Sequence, residues 1–392
     1  MNRPVKPSPF RVVIAPDSFK ECLAAEQVAS AIARGWRKAA PEDQIVEVPL
    51  ADGGEGTTLA LTEARQGTLH SQEVTGPMGE PVTAHFGLVN GGDIAIVEVA
   101  EGSGLHCVPA ARRSALEASS YGTGELILAA LAHRPTTLIM GLGGSATTDG
   151  GAGILQALGA RLLDSEGDDI PRGGAGLAKL ASLDLTPAIE RLSGIRLVVA
   201  CDVNNPLLGP NGAAAVFGPQ KGADAHQVVQ LDSNLRHFAQ QVEQQGMDMA
   251  SFAGSGAAGG IGGMVAGILG AKLRPGIELV METVELESHL QQADLVITAE
   301  GAIDSQSAFG KTPAGVASLA KKHGVPVIGL AGKLSNGLEE LHKLGLSSAF
   351  SITPAPMDLE TAYAGAADNL EQSAEQLARL VHSLSDRCQA TG

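Results

Sequence analysis

Residues 137–151 read TLIMGLGGSATTDGG, a short apolar run that leads directly into a turn with five glycines. Further apolar runs of similar length recur along the chain, at 11–15, 44–50, 94–99, 195–200, 294–298, 326–330 and 349–352. Their hydrophobicity is nearly continuous and does not alternate, which is typical of strands that are covered on both faces. Because helical patterns lie between these runs, we predict an α/β protein.

The segments between the strands predict helices at 57–64, 122–133, 225–245, 312–323 and 359–383. A first helix is indicated by an apolar stripe through Ala24, Val28, Ala31, Ile32 and the pair 35–36. Ser18 and Glu21 have the spacing of a capping box, which would place Lys20 in the first turn of that helix.

Length and composition set limits on the class of protein. The 392 residues suit two domains with a cleft between them, and the net charge of -16 without any basic run argues against nucleic-acid binding. The chain begins without an apolar leader, and the uncharged stretch 253–271 is too rich in glycine to be a membrane span. The four cysteines form no CxxC pair, which favours the cytoplasm. Whether the chain forms a homo-oligomer stays open.

Two early motifs place polar groups at the ends of predicted strands, where α/β folds bind ligands. APDSFK at 15–20 contributes a carboxylate and an ammonium, and its candidate residues are Asp17, Ser18 and Lys20. An exposed turn with a structural serine is an equal alternative for this motif alone. ADGGEGT at 51–57 precedes a helix, and its glycines allow backbone N–H groups to converge on an anion. Its candidate residues are Asp52, Gly53, Gly54, Glu55, Gly56 and Thr57.

The glycine turn at 141–151 has the composition of a phosphate cradle. Its candidate residues are Gly143, Gly144, Ser145 and Asp149, whereas Gly150 and Gly151 also suit a close backbone crossing. CDVNNP at 201–206 follows another strand and contributes Asp202 and Asn205 as candidates.

The late segment EGAIDSQSAFGKTP at 300–313 ends in Gly-Lys-Thr before a helix. It is not a P-loop, because Ser305 stands where the first glycine is needed and Pro313 follows at once. Its candidate residues for binding an anion or substrate are Glu300, Asp304, Gln306, Ser307 and Lys311. A further segment, GSGAAG at 254–259, matches GxGxxG, but 245–252 is a poor strand for a dinucleotide site.

The five motifs APDSFK, ADGGEGT, GLGGSAT-x-DGGAG, CDV-x-NPL and EG-x-x-D-x-QS-x-x-GKTP, in this order, closely resemble those of the bacterial type I glycerate kinases. The resemblance spans nearly the whole chain. It implies two α/β domains, the second inserted into the first, with the active site in the interdomain cleft. We place a discontinuous Rossmann-like domain at 1–76 and 284–392, and the inserted α/β domain at 77–283.

The resemblance also implies the activity, which is ATP-dependent phosphorylation of (R)-glycerate (D-glycerate), at the 2-hydroxyl, in the setting of glyoxylate metabolism. Phosphoryl transfer needs positive charge and Mg²⁺ around the phosphates. We therefore expect Lys20 and Lys311 to neutralise phosphate or carboxylate charge, and Asp52 and Asp202 to hold Mg²⁺ or to orient the hydroxyl. Gly143, Gly144 and Ser145 are expected to cradle phosphate.

Other functions stay open at this point. The chain could phosphorylate the 3-hydroxyl of glycerate or a related small hydroxy acid. More remote alternatives are a nucleotide-dependent oxidoreductase that uses 254–259 and a non-enzymatic sensor of organic acids.

Overall fold

The computed structural model describes residues 9–19, 22–51, 56–308 and 311–390, without the side chains of 306 and 386–390. The chain divides into two compact units. Unit 1 consists of Met1–Asp52 and Ile277–Gly392, and unit 2 consists of Gly53–Gly276. Helices alternate with mainly parallel strands in both units, so the predicted α/β class is confirmed.

The strands in chain order are β1 (Arg11–Ile14), β2 (Gln44–Glu47), β3 (Thr68–Thr75), β4 (Pro81–Val89), β5 (Ile94–Glu98), β6 (Thr137–Gly141), β7 (Arg161–Leu163), β8 (Ser182–Asp184), β9 (Arg196–Ala200), β10 (Lys272–Arg274), β11 (Leu295–Ile303), β12 (Val327–Leu334) and β13 (Leu346–Ser351). The α-helices are α1 (Ala25–Ala39), α2 (Thr57–Ala64), α3 (Val99–Ser103), α4 (Tyr121–Leu131), α5 (Ala152–Ala157), α6 (Thr186–Arg191), α7 (Ala213–Phe217), α8 (Ala225–Glu243), α9 (Ala257–Gly267), α10 (Gly276–Thr283), α11 (Leu286–Leu290), α12 (Thr312–Lys322), α13 (Glu339–Leu344), α14 (Leu359–Ala364) and α15 (Ala366–Ala390).

Unit 1 is built on a parallel sheet with the strand order β13-β12-β11-β1-β2. The apolar stripe of α1 is buried and packs with α15 in the same core as the central strands. Gly35 permits the close approach of these two helices, because a Cβ at this position would clash with the backbone carbonyl of Glu371. Covering helices explain why the strands read as continuous apolar runs.

Unit 2 contains a six-stranded sheet with the order β10-β9-β6-β5-β4-β3 and a two-stranded β7–β8 ribbon. Four neighbouring strands of this sheet are parallel: β10, β9, β6 and β5. Strand β4 pairs antiparallel with both β5 and β3. The β3–β4 hairpin is an addition to the prediction. Most of β3 is exposed and polar at the edge of the sheet, so it carries no apolar run by which the sequence could reveal it.

Several predictions of local structure need correction. The helix α1 begins at Ala25, so the capping box of Ser18 and Glu21 and the placement of Lys20 in its first turn are wrong; Lys20 and Glu21 themselves lie outside the described residues. The Gln27 side chain instead accepts from the N–H of Ala24 at 3.0 Å. The predicted helix at 359–383 is two helices, α14 and α15, that meet at Gly365. Glycine is a poor helix former, which suits this break.

The predicted domain boundary at 76/77 falls in the turn of the β3–β4 hairpin, which belongs entirely to unit 2. The second predicted boundary, 283/284, falls at the end of α10, a few residues after the start of the second segment of unit 1. The exact domain boundaries therefore stay a prediction.

Candidate active site

Unit 1 carries a buried carboxylate just after its first strand. The N–H of Asp17 donates to the carbonyl of Ala299 at 2.8 Å, which places Asp17 beside β11. Asp17 Oδ1 accepts from the N–H of Ser18 at 2.7 Å, and Asp17 Oδ2 accepts from Thr312 Oγ1 at 2.6 Å. Because Asp17 is only 6% exposed, these bonds are largely shielded from water. Asp17 therefore fixes the first residue of α12 against the end of β1.

The described residues of the late motif at 300–313 form a hydrogen-bonded cluster. Lys311 Nζ pairs with Glu300 Oε1 at 2.7 Å, and Ser307 Oγ donates to Glu300 Oε2 at 3.3 Å. The N–H of Ser307 donates to Asp304 Oδ1 at 3.2 Å. The Lys311 side chain is 36% exposed, whereas that of Glu300 is 13% exposed. Lys311 is therefore the more accessible partner of this ion pair, and it stands directly before α12.

Residues of both groups line one cavity of about 380 Å³ that lies within unit 1. Asp17, Ser18, Glu300 and Lys311 are among the lining residues, although they come from motifs that are far apart in the sequence. The cavity lies beyond the carboxyl ends of parallel strands, the usual place of ligands in this fold class. The structure thus brings four predicted site residues of unit 1 to one cavity: Asp17, Ser18, Glu300 and Lys311.

In unit 2, three strand ends lie side by side. Glu98 at the end of β5 is in register with Gly141 of β6, and Gly141 is in register with Ala200 of β9. The glycine turn follows β6, and Asp202 follows β9 by two residues. A carboxylate, a glycine-rich turn and a second carboxylate therefore succeed β5, β6 and β9 along one edge of the sheet.

The glycine turn presents backbone at its tip and a buried hydroxyl behind it. Gly143 and Gly144 are accessible, and Gly144 has a φ of +71°, which favours glycine. Ser145 is buried, and its Oγ accepts from the N–H of Thr147 at 3.1 Å. The Gly144 carbonyl accepts from the N–H of Leu105 at 2.8 Å. The tip suits contact with an anion, whereas the Ser145 hydroxyl is engaged inside the turn.

Asp149 is completely buried behind the same turn. Its Oδ2 accepts from the N–H and Oγ of Ser120 at 2.8 and 2.9 Å, and its Oδ1 accepts from the N–H of Gly151 at 3.1 Å. Burial raises the pKa of Asp149, and these hydrogen bonds oppose that rise. This placement differs from the predicted contact with substrate or phosphate, because Asp149 anchors the turn to the start of α4.

Lys221 is a buried cation that the sequence analysis did not single out. Its Nζ donates to the carbonyl of Thr147 at 2.5 Å and to Ser145 Oγ at 3.4 Å. Burial lowers the pKa of Lys221 to about 7, against the attraction of Asp149. No motif surrounds Lys221 in the sequence, so only the fold reveals that it holds the glycine turn.

Glu98 is the second residue that sequence reasoning missed. It is 2% exposed, and its Oε1 accepts from the N–H of Thr57, the first residue of α2, at 2.9 Å. Burial raises the pKa of Glu98 to about 7, although hydrogen bonds from Thr58 and Thr57 oppose the rise. The predicted binding residue Thr57 is itself buried, and Gly56 before it is exposed with a φ of +92°. A search for carboxylates at strand ends would have found Glu98.

Asp202 and Asn205 lie in the turn after β9. Asp202 is exposed, and its Oδ1 accepts from the N–H of Gly276 at 2.8 Å. Asn205 Nδ2 donates to the carbonyl of Asn211 at 2.9 Å. Asp202 thus keeps an accessible carboxylate, while Asn205 stabilises its own loop.

The remaining predicted residues belong to segments that the structure does not describe. Lys20, Asp52, Gly53, Gly54 and Glu55 lie outside the described residues, as does the side chain of Gln306. Within the described ranges there is no group of three or more His, Cys, Asp or Glu residues that could hold a metal ion. None of the helices described is long and apolar enough to cross a membrane.

In each unit, charged side chains or accessible glycine backbone lie at the carboxyl edge of parallel strands. This is typical of α/β enzymes that act on phosphorylated ligands, and it defines the class of this protein. The comparisons with known proteins agree with this class. The model of the glycerate kinase family matches residues 12–382.

Individual relatives are similar over nearly the whole chain. The chain is 50% identical to a glycerate kinase from Bacillus subtilis (strain 168), over 94% of this chain and 97% of that protein. It is 47% identical to a glycerate 2-kinase from Escherichia coli (strain K12), with the same coverage. A crystal structure assigned to glycerate kinase 2 of Salmonella typhimurium LT2 matches with a TM-score of 0.89 and 46% identity, over 97% of this chain and 100% of that one.

The chain belongs to the glycerate kinase family. The resemblance noted in the sequence motifs is therefore confirmed, and the protein is an enzyme of the kinase class.

Proposed function

We propose that this protein transfers the γ-phosphoryl group of ATP to the 2-hydroxyl of D-glycerate, which gives 2-phosphoglycerate and ADP. The observation that carries the proposal is the Lys311–Glu300 ion pair, which lies in one cavity with Asp17 at the carboxyl edge of a parallel sheet. Family membership supports the identity of both substrates.

The chemistry of phosphoryl transfer suits this cavity. The transferred group carries negative charge that increases on its oxygens, and fixed positive charge stabilises it. Lys311 supplies an ammonium directly before α12, whose N-terminus has the same polarity. Glu300 holds this ammonium in place, and Asp17 holds Thr312 through a bond of 2.6 Å. These contacts keep the cation in one position before substrate arrives, which is the main requirement for electrostatic catalysis.

The glycine turn of unit 2 is proposed to contact phosphate through the accessible backbone of Gly143 and Gly144. Three buried residues are proposed to hold the shape of this turn, because each makes hydrogen bonds to it: Ser145, Asp149 and Lys221. In this proposal Gly143 and Gly144 touch the ligand, whereas the three buried residues hold the turn in position.

We further propose that Mg²⁺ accompanies ATP. Mg²⁺ in kinases is usually held by one or two carboxylates together with the phosphates, so it needs no complete protein cage. The exposed carboxylate of Asp202 fits this pattern, and Asp52, which lies outside the described residues, is the second predicted ligand. When bound, the ion would screen the phosphate charge.

The structure bears on the oxidoreductase alternative but does not distinguish among the kinase alternatives. The segment at 254–259 is explained by packing: a Cβ at Gly259 would clash with the carbonyl of Thr147, and the described residues 245–256 contain no strand. These facts disfavour a dinucleotide site there. A 3-kinase or a kinase of a related hydroxy acid would use the same cation and carboxylates, so only the product can distinguish it.

The cytoplasm is the proposed location. Cys22, Cys107 and Cys201 form no disulfide in the structure, and a reducing compartment keeps thiols in this state.

A coupled assay of ADP release tests the proposal. We expect ADP formation that depends on both D-glycerate and Mg²⁺, with no turnover in excess EDTA. Glycerate binding without ADP release would indicate a sensor, and a fluorescence change of NADH on binding would indicate an oxidoreductase.

A further inference from the structure

The cavity of unit 1 has a second end that the phosphoryl chemistry does not use. Besides the polar residues described above, it is lined by Phe19 and Ile352, which are buried, and by Leu359 and Tyr363, which are 65% and 37% exposed. We call these four residues the apolar end. Phosphate and Mg²⁺ are charged and gain no stabilisation from contact with apolar side chains. We therefore expect a different part of a ligand to cover this surface.

The chemistry of the apolar end excludes glycerate as its occupant. A small hydroxy acid has a carboxylate and hydroxyl groups but no apolar face, so it would leave these side chains uncovered. A purine base has two flat apolar faces and a polar edge, and aromatic and aliphatic side chains pack well on such faces. The volume of about 380 Å³ lies within the range of pockets for molecules larger than glycerate.

Polar groups at the same cavity suit the rest of a nucleotide. The amide of Asn369 can both donate to and accept from the edge of a base. Lys333 of β12 is exposed and lines the cavity together with Lys311, so two lysine side chains border the space proposed for the phosphates. Electrostatic attraction to a polyphosphate is therefore expected in spite of the acidic chain.

The position in the sheet agrees with this assignment. Strand β1 lies between β2 and β11 in the sheet. β2 is the next strand in the sequence, whereas β11 begins more than 240 residues after β2. The strand order therefore reverses at β1, and doubly wound sheets bind nucleotides at such reversals. Asp17 to Phe19, which follow β1, line the cavity at this point.

We propose that the apolar end of the unit 1 cavity binds the adenine base of ATP, with the phosphates extending toward Lys311. The inference rests on the proposed kinase function and adds to it the site of the base.

Alkylation of Cys22 tests this directly, because Cys22 lines the cavity and its Sγ lies 3.4 Å from the carbonyl oxygen of Tyr363. The probes are ADP and D-glycerate, and mass spectrometry follows the labelling of each cysteine by N-ethylmaleimide. At ADP about tenfold above its Kd, labelling of Cys22 is expected to slow roughly tenfold, since only the free form reacts. Cys107 in unit 2 is the internal control. An unchanged rate at Cys22, or protection by glycerate alone, would overturn the proposal.

A matched pair of variants on α14 provides an independent test. Ala362 lines the cavity, whereas Ala364 on the same helix is exposed and is not among the lining residues. Ala362→Phe is expected to raise KM for ATP ~10-fold or more by filling the cavity, and to leave KM for glycerate unchanged. Ala364→Phe should leave both constants near wild type. Equal KM values for ATP in the two variants would contradict the assignment.

The activity of the wild-type enzyme distinguishes failure of the proposed kinase function from failure of the proposed adenine site. If wild-type enzyme forms no ADP with D-glycerate, the proposed function fails, while protection of Cys22 by ADP still supports the base site. If wild-type enzyme is active but ADP does not protect Cys22, or Ala362→Phe has the same KM for ATP as Ala364→Phe, the base site alone is refuted.

Discussion

The substitution Lys221→Met tests how unit 2 maintains its glycine turn. Lys221 is buried, and its Nζ donates to the carbonyl of Thr147 and to Ser145 Oγ. Methionine keeps most of the side-chain volume but removes the ammonium and both hydrogen bonds. The variant should therefore reveal both the contribution of the bonds and the penalty of burying the charge.

The size of the charge penalty follows from the pKa. Burial lowers the pKa of Lys221 from its ordinary value of 10.5 to about 7. The unfolded chain therefore binds more protons than the folded chain between these two values, and the free energy of unfolding rises with pH across that window. Each pKa unit corresponds to about 1.4 kcal/mol, so the full effect has an upper bound of about 5 kcal/mol. Between pH values of about 7 and about 9, the wild type should gain about 2 kcal/mol.

Urea unfolding followed by circular dichroism measures this gain. We expect the wild type to gain stability relative to Lys221→Met as the pH rises through the window, because the variant lacks the titrating group. Lys179→Met replaces an exposed lysine of the same unit and should follow the wild type. Parallel pH profiles for the wild type and Lys221→Met would refute the assignment of a buried, titrating ammonium at this position.

Three further predictions concern charged groups in other parts of the structure. Lys311→Met should lower kcat/KM by roughly two orders of magnitude, as the loss of one electrostatic contact to a transition state does, and unchanged steady-state kinetics would remove Lys311 from the site. Glu98 has a pKa raised to about 7, so the folded state binds more protons than the unfolded state between pH 4.5 and about 7. Its contribution to stability therefore falls as pH rises through that window, by up to about 3 kcal/mol. Glu98→Gln should flatten this part of the pH profile in urea titrations, and an identical slope would contradict the interpretation. Asp43 accepts from Phe10 N–H and Trp36 Nε1, both at 2.8 Å, so Asp43→Ala should destabilise unit 1 by about 3 kcal/mol in thermal melts, whereas Glu42→Ala, an exposed neighbour, should have little effect.

The sequence was most informative where buried structure leaves a strong pattern. Continuous apolar runs predicted β1, β6 and β11, because helices cover both faces of a parallel sheet and exclude polar residues from those strands. The exposed hairpin strand β3 has no such constraint and was missed. Its residues are set by pairing with β4, which only the folded chain displays.

The candidate site shows the same division. Lys311 and Glu300 were both predicted as site residues because they belong to one short motif; the structure joins them in an ion pair, and their contact with a ligand stays a prediction. Lys221 could not be predicted, because its partners Ser145 and Thr147 lie more than 70 residues earlier in the chain. Asp149 was predicted to touch a ligand because a motif does not distinguish a carboxylate that binds substrate from one that holds the turn in place.

The central claim is the reaction itself, and one measurement tests it most directly. Purified enzyme is incubated with ATP, Mg²⁺ and D-glycerate, and phosphorus NMR of the products identifies the hydroxyl that carries the phosphate. We predict a single new monoester that matches 2-phosphoglycerate and forms in equal amount to ADP. A product that matches 3-phosphoglycerate would contradict the proposed acceptor, and the absence of any phosphorylated glycerate would contradict the proposed function.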